Sequence, residues 1–197
     1  VGVFHSMSGR AAMKHAVQYG FPWDALVLFD PPNVPPPDHR LYEQMRAFEL
    51  RLVEWACARP ERFATIEAAV QSFRESRATS RWVPQAIVDM GHAVIQPAAS
   101  GGLELTCRRE LEALIYLAAL TLDLWPSARQ FGGPTKLVGA DPALRGGPPT
   151  GIANQALGTE EGFDYTMVPE TGHLLQIERP DACRDVMIEF LAKHGLA

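Results

Sequence analysis

The sequence predicts an α/β fold, a parallel sheet with helices packed on it and a helical insertion in the middle. Three observations carry this. Ala25-Leu26-Val27-Leu28-Phe29 is an unbroken apolar run ended by Asp30 and Pro31, the pattern of a strand buried on both faces of a parallel sheet. Val1 to Phe4 is a second apolar run, and it leads through a serine into a helical stretch. After a long helical region the strand–helix rhythm resumes at Thr135, and a sheet cannot close without both halves.

The elements follow in order. Ala11 to Tyr19 reads as a helix stopped by Gly20, with apolar positions at helical spacing. The strand Ala25–Phe29 comes next. The proline-rich stretch Pro31 to Pro37 is stiff, cannot enter a sheet centre and reads as a spacer. From Asp38 to about Ser127 the pattern is helical: His39 to Ala58, Glu61 to Glu75, Val83 to Ala93, and Arg109 to Leu120. Pro60 and Pro84 sit where prolines start helices. Gly101-Gly102 breaks the series, and Leu103-Glu104-Leu105 alternates briefly. Thr135 to Ala140 is a strand that Pro142 stops. Ile152 to Leu157 is a short helix, Phe163 to Val168 the last strand, and Asp181 to His194 a closing amphipathic helix. The chain therefore divides into a core over residues 1–34, a helical lid insertion over 35–130, and a second core segment over 131–197.

Composition narrows the function. The chain has 197 residues, 47% of them hydrophobic and 21% charged, with a net charge of −5, a balance that supports one good core. Mild acidity without a basic patch argues against nucleic acid as a partner. No apolar run reaches transmembrane length, so no membrane partner is expected. Cys57, Cys107 and Cys183 show neither metal spacing nor a disulfide framework, in keeping with a cytoplasmic, reducing setting. No metal and no organic cofactor is implied.

Three residues stand at the ends of three strands, in the order Ser6, Asp141, His173. Loops after the carboxyl ends of parallel strands gather on one edge of the sheet, where active sites form. A serine hydroxyl needs an imidazole to take its proton, and the imidazole needs a carboxylate to fix its tautomer. The segment Phe4-His5-Ser6-Met7-Ser8-Gly9 reads as strand, sharp turn, helix, with Ser6 at the turn. It departs from the G-x-S-x-G elbow, since Phe4 and Ser8 stand at the two glycine positions. The competing reading has Ser6 simply capping the helix. Asp30 also follows a strand and is the alternative acid; its other reading is a turn or cap residue. His5 reads as a packing or hydrogen-bonding neighbour of the serine, His92 as a lid residue facing substrate or solvent, and His15, His39 and His194 as surface residues. Trp55, Trp82, Phe48, Phe73 and Trp125 read as an acyl pocket or as core.

On His5-Ser6-Met7-Ser8-Gly9, Leu137-Val138-Gly139-Ala140-Asp141, Glu170-Thr171-Gly172-His173 and Ile177-Glu178-Arg179-Pro180, the chain resembles the α/β-hydrolase superfamily. The likeness is to the C-terminal portion of a lid-bearing member and covers essentially the whole chain. It implies Ser6 as nucleophile, Asp141 as acid, His173 as base and the Met7 backbone N–H as one oxyanion donor. It also implies a small-molecule ester or related acyl substrate, with a carbon–carbon bond hydrolase or a non-catalytic binding protein as alternatives. A homo-oligomer stays open. The family's earlier strands, and the loop that supplies the second oxyanion N–H, have no counterpart here. Loss of such a donor costs about 2.7–4 kcal/mol of transition-state stabilisation. The expectation is a fragment, or one piece of a two-piece protein whose missing N-terminal segment or partner chain completes the sheet.

Overall fold

The computed structural model describes residues 1–197. In chain order the elements are β1 (Gly2–His5), α1 (Ser6–Tyr19), β2 (Leu26–Phe29), α2 (Tyr42–Ala58), β3 (Arg62–Phe63), α3 (Ile66–Glu75), α4 (Pro84–Ala93), β4 (Ile95–Pro97), β5 (Leu103–Leu105), α5 (Arg109–Ala118), β6 (Thr135–Gly139), α6 (Thr150–Glu161), β7 (Asp164–Met167), α7 (Leu175–Glu178) and α8 (Pro180–Lys193). They form two compact units, Val1–Phe48 with Leu122–Ala197, and Glu49–Thr121.

The first unit is an α/β layer structure on a four-stranded parallel sheet, ordered β1-β2-β6-β7. Side chains alternate across the sheet as the two-residue period requires. Leu26, Leu28 and Leu137 point to one face and are buried with Ala12, Met13 and Ala16 of α1 and Leu157 of α6. Ala25, Val27, Phe29 and Val138 point to the other face, where Leu175 of α7 and Cys183 and Phe190 of α8 cover them. The β2 run is fully buried along its length, as its unbroken apolar sequence predicts. β1 lies at the edge, and Val1 and Val3 are 52% and 47% exposed.

The second unit holds a small antiparallel sheet, ordered β3-β5-β4. Ala69, Ile95 and Leu105 form its core, with Phe63, Ile66 and Phe73 packed around them. Only β5 shows in the sequence, as the brief alternation at Leu103–Leu105; β3 and β4 are too short to carry a period. On α5, Leu111, Leu114, Ile115 and Leu117 are exposed.

Four local readings change. The helix expected over Glu61–Glu75 begins only at Ile66, and Arg62–Phe63 before it is the strand β3. α1 begins at Ser6 rather than Ala11, because Ser8 closes the turn. The Ser8 hydroxyl donates to the His5 carbonyl at 2.7 Å and faces the His5 N–H at 3.2 Å. The stretch after β2 is no spacer: Pro31, Pro32, Asn33 and Pro35 are buried. Arg10 of α1 donates to the Pro32 carbonyl at 3.0 Å, and the Asn33 amide reaches Met13 Sδ. α6 runs two turns longer than the apolar pattern suggests, over Thr150–Glu161. No helix is long and apolar enough to cross a membrane.

Candidate active site

The site gathers at the carboxyl ends of β1, β2 and β6 and in the loop after β7. Ser6 follows β1 as the first residue of α1, with φ +53°, a left-handed backbone that costs a non-glycine residue about 1–2 kcal/mol. Such strain persists only where the surroundings over-determine it. Here the Ser8 hydroxyl hooks the peptide before Ser6 on one side, and the start of α1 holds the other.

The Phe4 ring finds the space that the elbow pattern usually reserves with a glycine. It turns back along the strand, edge-on to Trp23 at 5.7 Å between ring centres. Gly2 makes this possible, since a Cβ there would stand 2.8 Å from both the Phe4 and Trp23 rings. A glycine two residues upstream thus does the work of the one missing at position 4.

Ser6 Oγ lies 2.7 Å from His173 Nε2. On the other side of the ring, His173 Nδ1 lies 2.7 Å from Asp30 Oδ2. Together these contacts fit one neutral tautomer, with Nδ1–H donating to Asp30 and Nε2 accepting from the serine. Asp30 is fully buried. Its Oδ1 accepts from the Ala140 N–H at 3.0 Å and the Asn154 amide at 2.8 Å, and its Oδ2 also accepts from the Thr150 hydroxyl at 2.5 Å. Four donors satisfy the four lone-pair positions of the carboxylate, which is what a buried charge requires. Its backbone, at φ +44°, is bent like that of Ser6.

Asp141 is the correction. His173 does not meet it. Asp141 stands one strand over, at the end of β6, and its carboxylate accepts the backbone N–H groups of Ala143 at 2.8 Å and Glu170 at 2.9 Å. Those bonds, Glu170 first, hold its carboxyl below the usual carboxylate range. Its own N–H donates to the Thr171 carbonyl. Asp141 therefore ties the end of β6 to the histidine loop without touching the imidazole, while Asp30, the alternative, fills the place against the ring. Asp30 and Asp141 have the same local sequence, an apolar strand, then Asp-Pro. What separates them is Thr150 and Asn154, one helical turn apart on α6 and both aimed at Asp30. That spacing was present in the sequence.

Two further contacts hold the loop that carries the histidine. The Gly172 N–H donates to Glu178 Oε2 at 2.7 Å, and His5 Nε2 lies 2.8 Å from the His173 carbonyl. Thr171, fully buried, donates to the Val168 carbonyl at 2.7 Å. Burial, and next the charge His173 can carry, push the His5 imidazole down to about 4. Met7 is in the first turn of α1, where backbone N–H groups have no acceptor within the helix. Of the other histidines, His92 is exposed. His39 is not a free surface residue; it bonds Glu160 at 2.9 Å and packs on Trp125. Trp125 belongs to the first unit's core periphery.

This arrangement sits on a known architecture. The chain is similar to a solved E-2-(acetamidomethylene)succinate hydrolase at 16% identity and a TM-score of 0.73, covering 96% of this chain and 65% of that one. A peroxisomal α/β-hydrolase from Saccharomyces cerevisiae, Lpx1, matches at 16% identity and 0.62, over 97% of this chain and 54% of that one. MenH from S. aureus matches at 16% identity and 0.59, over 98% and 68%. The chain thus spans about two thirds or less of the length of these structures. No protein-family model matches the sequence, and no curated protein matches it closely. The chain has the α/β-hydrolase fold.

Proposed function

We propose that the protein is a serine hydrolase that cleaves a small ester or related acyl substrate through an acyl-enzyme. The observation that carries this reading is the continuous relay Ser6–His173–Asp30, at 2.7 Å and 2.7 Å. Ser6 Oγ attacks the substrate carbonyl while His173 Nε2 takes its proton. Asp30 keeps the imidazole in the required tautomer and balances its charge once it is protonated. The Met7 N–H, at the start of α1, stabilises the oxyanion. His173 then returns the proton to the leaving alkoxide, and the acyl group stays on Ser6. In the second half a water gives its proton to His173 and attacks the acyl-enzyme; His173 returns that proton to Ser6 Oγ as the acyl–oxygen bond breaks, releasing the acid and restoring the serine.

A fluorophosphonate probe tests this. Covalent labelling confined to Ser6, and lost in Ser6→Ala, is the expected result. An assembled protein that stays unlabelled favours the non-catalytic binding reading instead. A carbon–carbon bond hydrolase would use the same serine and label alike, so an ester panel against β-diketone substrates separates the two.

The reading needs a second oxyanion donor. We propose that a further strand pairs with the open edge of β1, from a preceding segment or a partner chain, and that the loop after it supplies that N–H. The supporting observations are the exposed Val3 on β1 and an open cavity of about 310 Å³ beside it, lined by Val3, Phe29, Cys183 and Met187. Native mass spectrometry of the active material should give a species heavier than the 21.7 kDa of this chain. Full activity from a 21.7 kDa monomer would remove this part of the reading.

A further inference from the structure

We infer that His5 is a positioning residue that sets the distance between the nucleophile and its base. The inference rests on the serine-hydrolase reading and adds a residue to it. His5 precedes Ser6 in the chain, so its backbone is bonded directly to the nucleophile. The Ser8 hydroxyl binds both its N–H and its carbonyl, which fixes where its side chain starts. From there Nε2 reaches the His173 carbonyl at 2.8 Å. A carbonyl only accepts, so Nε2 carries the proton and donates.

A short closed circuit results. It runs from Ser6 through the His5 backbone and ring to the His173 carbonyl, through the His173 ring, and back to Ser6 Oγ at 2.7 Å. Every link but two is covalent, and those two are hydrogen bonds. Glu178 holds the Gly172 N–H, one peptide upstream of His173, so side chains hold the main chain on both sides of the residue. Glu178 comes from α7, after the loop, and cannot register the loop against Ser6. His5 ties the main chain of the loop to the strand end that carries Ser6.

The ring itself makes a second contribution. It lies 4.9 Å from the His173 ring, tilted by 44°, and walls off one side of the imidazole. A charged neighbour there would oppose the imidazolium that catalysis creates. The groups around His5 are His173 and Asp30 on the site side and Cys183 and Arg184 across the cavity. With its imidazole pushed down to about 4, His5 is a neutral donor at neutral pH.

Two substitutions separate donor from ring. His5→Phe keeps a ring of similar size and removes the N–H. His5→Gln removes the ring but returns an N–H donor at the distance of Nε2. Two readouts are needed: the rate of Ser6 labelling by a fluorophosphonate, and the downfield proton resonance of the His173 Nδ1–H held by Asp30. His5→Phe should slow labelling about 10- to 100-fold, the range for misplacement by an ångström, and should broaden or remove the resonance. His5→Gln should recover labelling to within about threefold and retain the resonance. Equal labelling and an intact resonance in His5→Phe would overturn the inference, as would a His5→Gln that behaves like His5→Phe. If the unsubstituted protein does not label at all, the hydrolase reading fails, and the resonance still decides whether His5 positions His173.

Discussion

Asp30 Oδ2 and His173 Nδ1 meet at 2.7 Å across 143 residues of chain, and the carboxylate that meets the imidazole is held by three other donors. Asp30→Asn keeps the shape, but its NH2 group must face either the Ala140 N–H, which can only donate, or His173 Nδ1, which can receive it only when unprotonated. It should force the wrong imidazole tautomer and lower kcat by about 10³–10⁴-fold, the size seen when a triad carboxylate becomes an amide. Asp141→Asn, which loses only loop contacts, should cost less than about tenfold. Steady-state kinetics on an activated ester compares the pair; a larger loss at Asp141 than at Asp30 would refute the assignment.

That pair also shows where the sequence is legible and where it is not. Apolar runs name β2 and the centre of β6, because burial on two faces demands continuous hydrophobicity, while β1 and β7, at the two edges of the sheet, are partly exposed. Ser6 and His173 are legible as strand-end residues in a recognisable order. The acid is not, since Asp30 and Asp141 both end a buried strand before a proline. The choice depends on α6, whose Thr150 and Asn154 face Asp30. α6 is itself hard to read because glycines 151 and 158 and several polar residues weaken its periodicity. β3 and β4 leave no trace, having only two or three residues each. The fit of Phe4 at the elbow depends on Gly2 and Trp23, a packing relation that a motif does not encode.

Backbone strain at the nucleophile gives a stability prediction. Ser6 holds φ +53°, which glycine adopts freely and alanine does not. Ser6→Gly and Ser6→Ala should both be inactive. The glycine variant should be the more stable of the two by about 1 kcal/mol, read from urea denaturation midpoints. Equal midpoints would mean that the turn stores no strain.

His5 also has a signature in acid stability. Its imidazole titrates at about 4 in the folded protein, against 6.5 for an unperturbed histidine. As pH falls below 6.5 the unfolded chain takes up a proton that the folded chain refuses, so stability is lost between about 6.5 and 4 and the loss levels off below. At about 1.36 kcal/mol per pH unit this amounts to about 3 kcal/mol. His5→Gln has nothing to titrate there. Measured from pH 7 to pH 4, the unfolding free energy of the unsubstituted protein should fall by about that amount more than that of His5→Gln. Parallel curves would show that His5 is not held neutral.

Two glycines should behave in opposite ways, and the one in the motif is the dispensable one. A Cβ at Gly9 would meet Pro31, Leu28 and the Phe4 carbonyl at 3.5–3.7 Å, ordinary contact distances. Gly9 is inside α1, where alanine is favoured over glycine by about 1 kcal/mol. Gly9→Ala should therefore leave the melting temperature unchanged or raise it, with labelling of Ser6 intact. A Cβ at Gly151 would stand 2.8 Å from the Ala140 carbonyl oxygen and 3.2 Å from Pro142 N. Both are backbone atoms, so the first turn of α6 must shift instead. Thr150 lies in that turn and donates to Asp30 Oδ2, while the Ala140 N–H donates to Oδ1. Gly151→Ala should cost about 1–3 kcal/mol of stability and slow Ser6 labelling too, because the shift passes through Asp30 to His173. A Gly151→Ala protein that is destabilised but labels at the original rate would show that the α6 contacts to Asp30 support the fold and not the site.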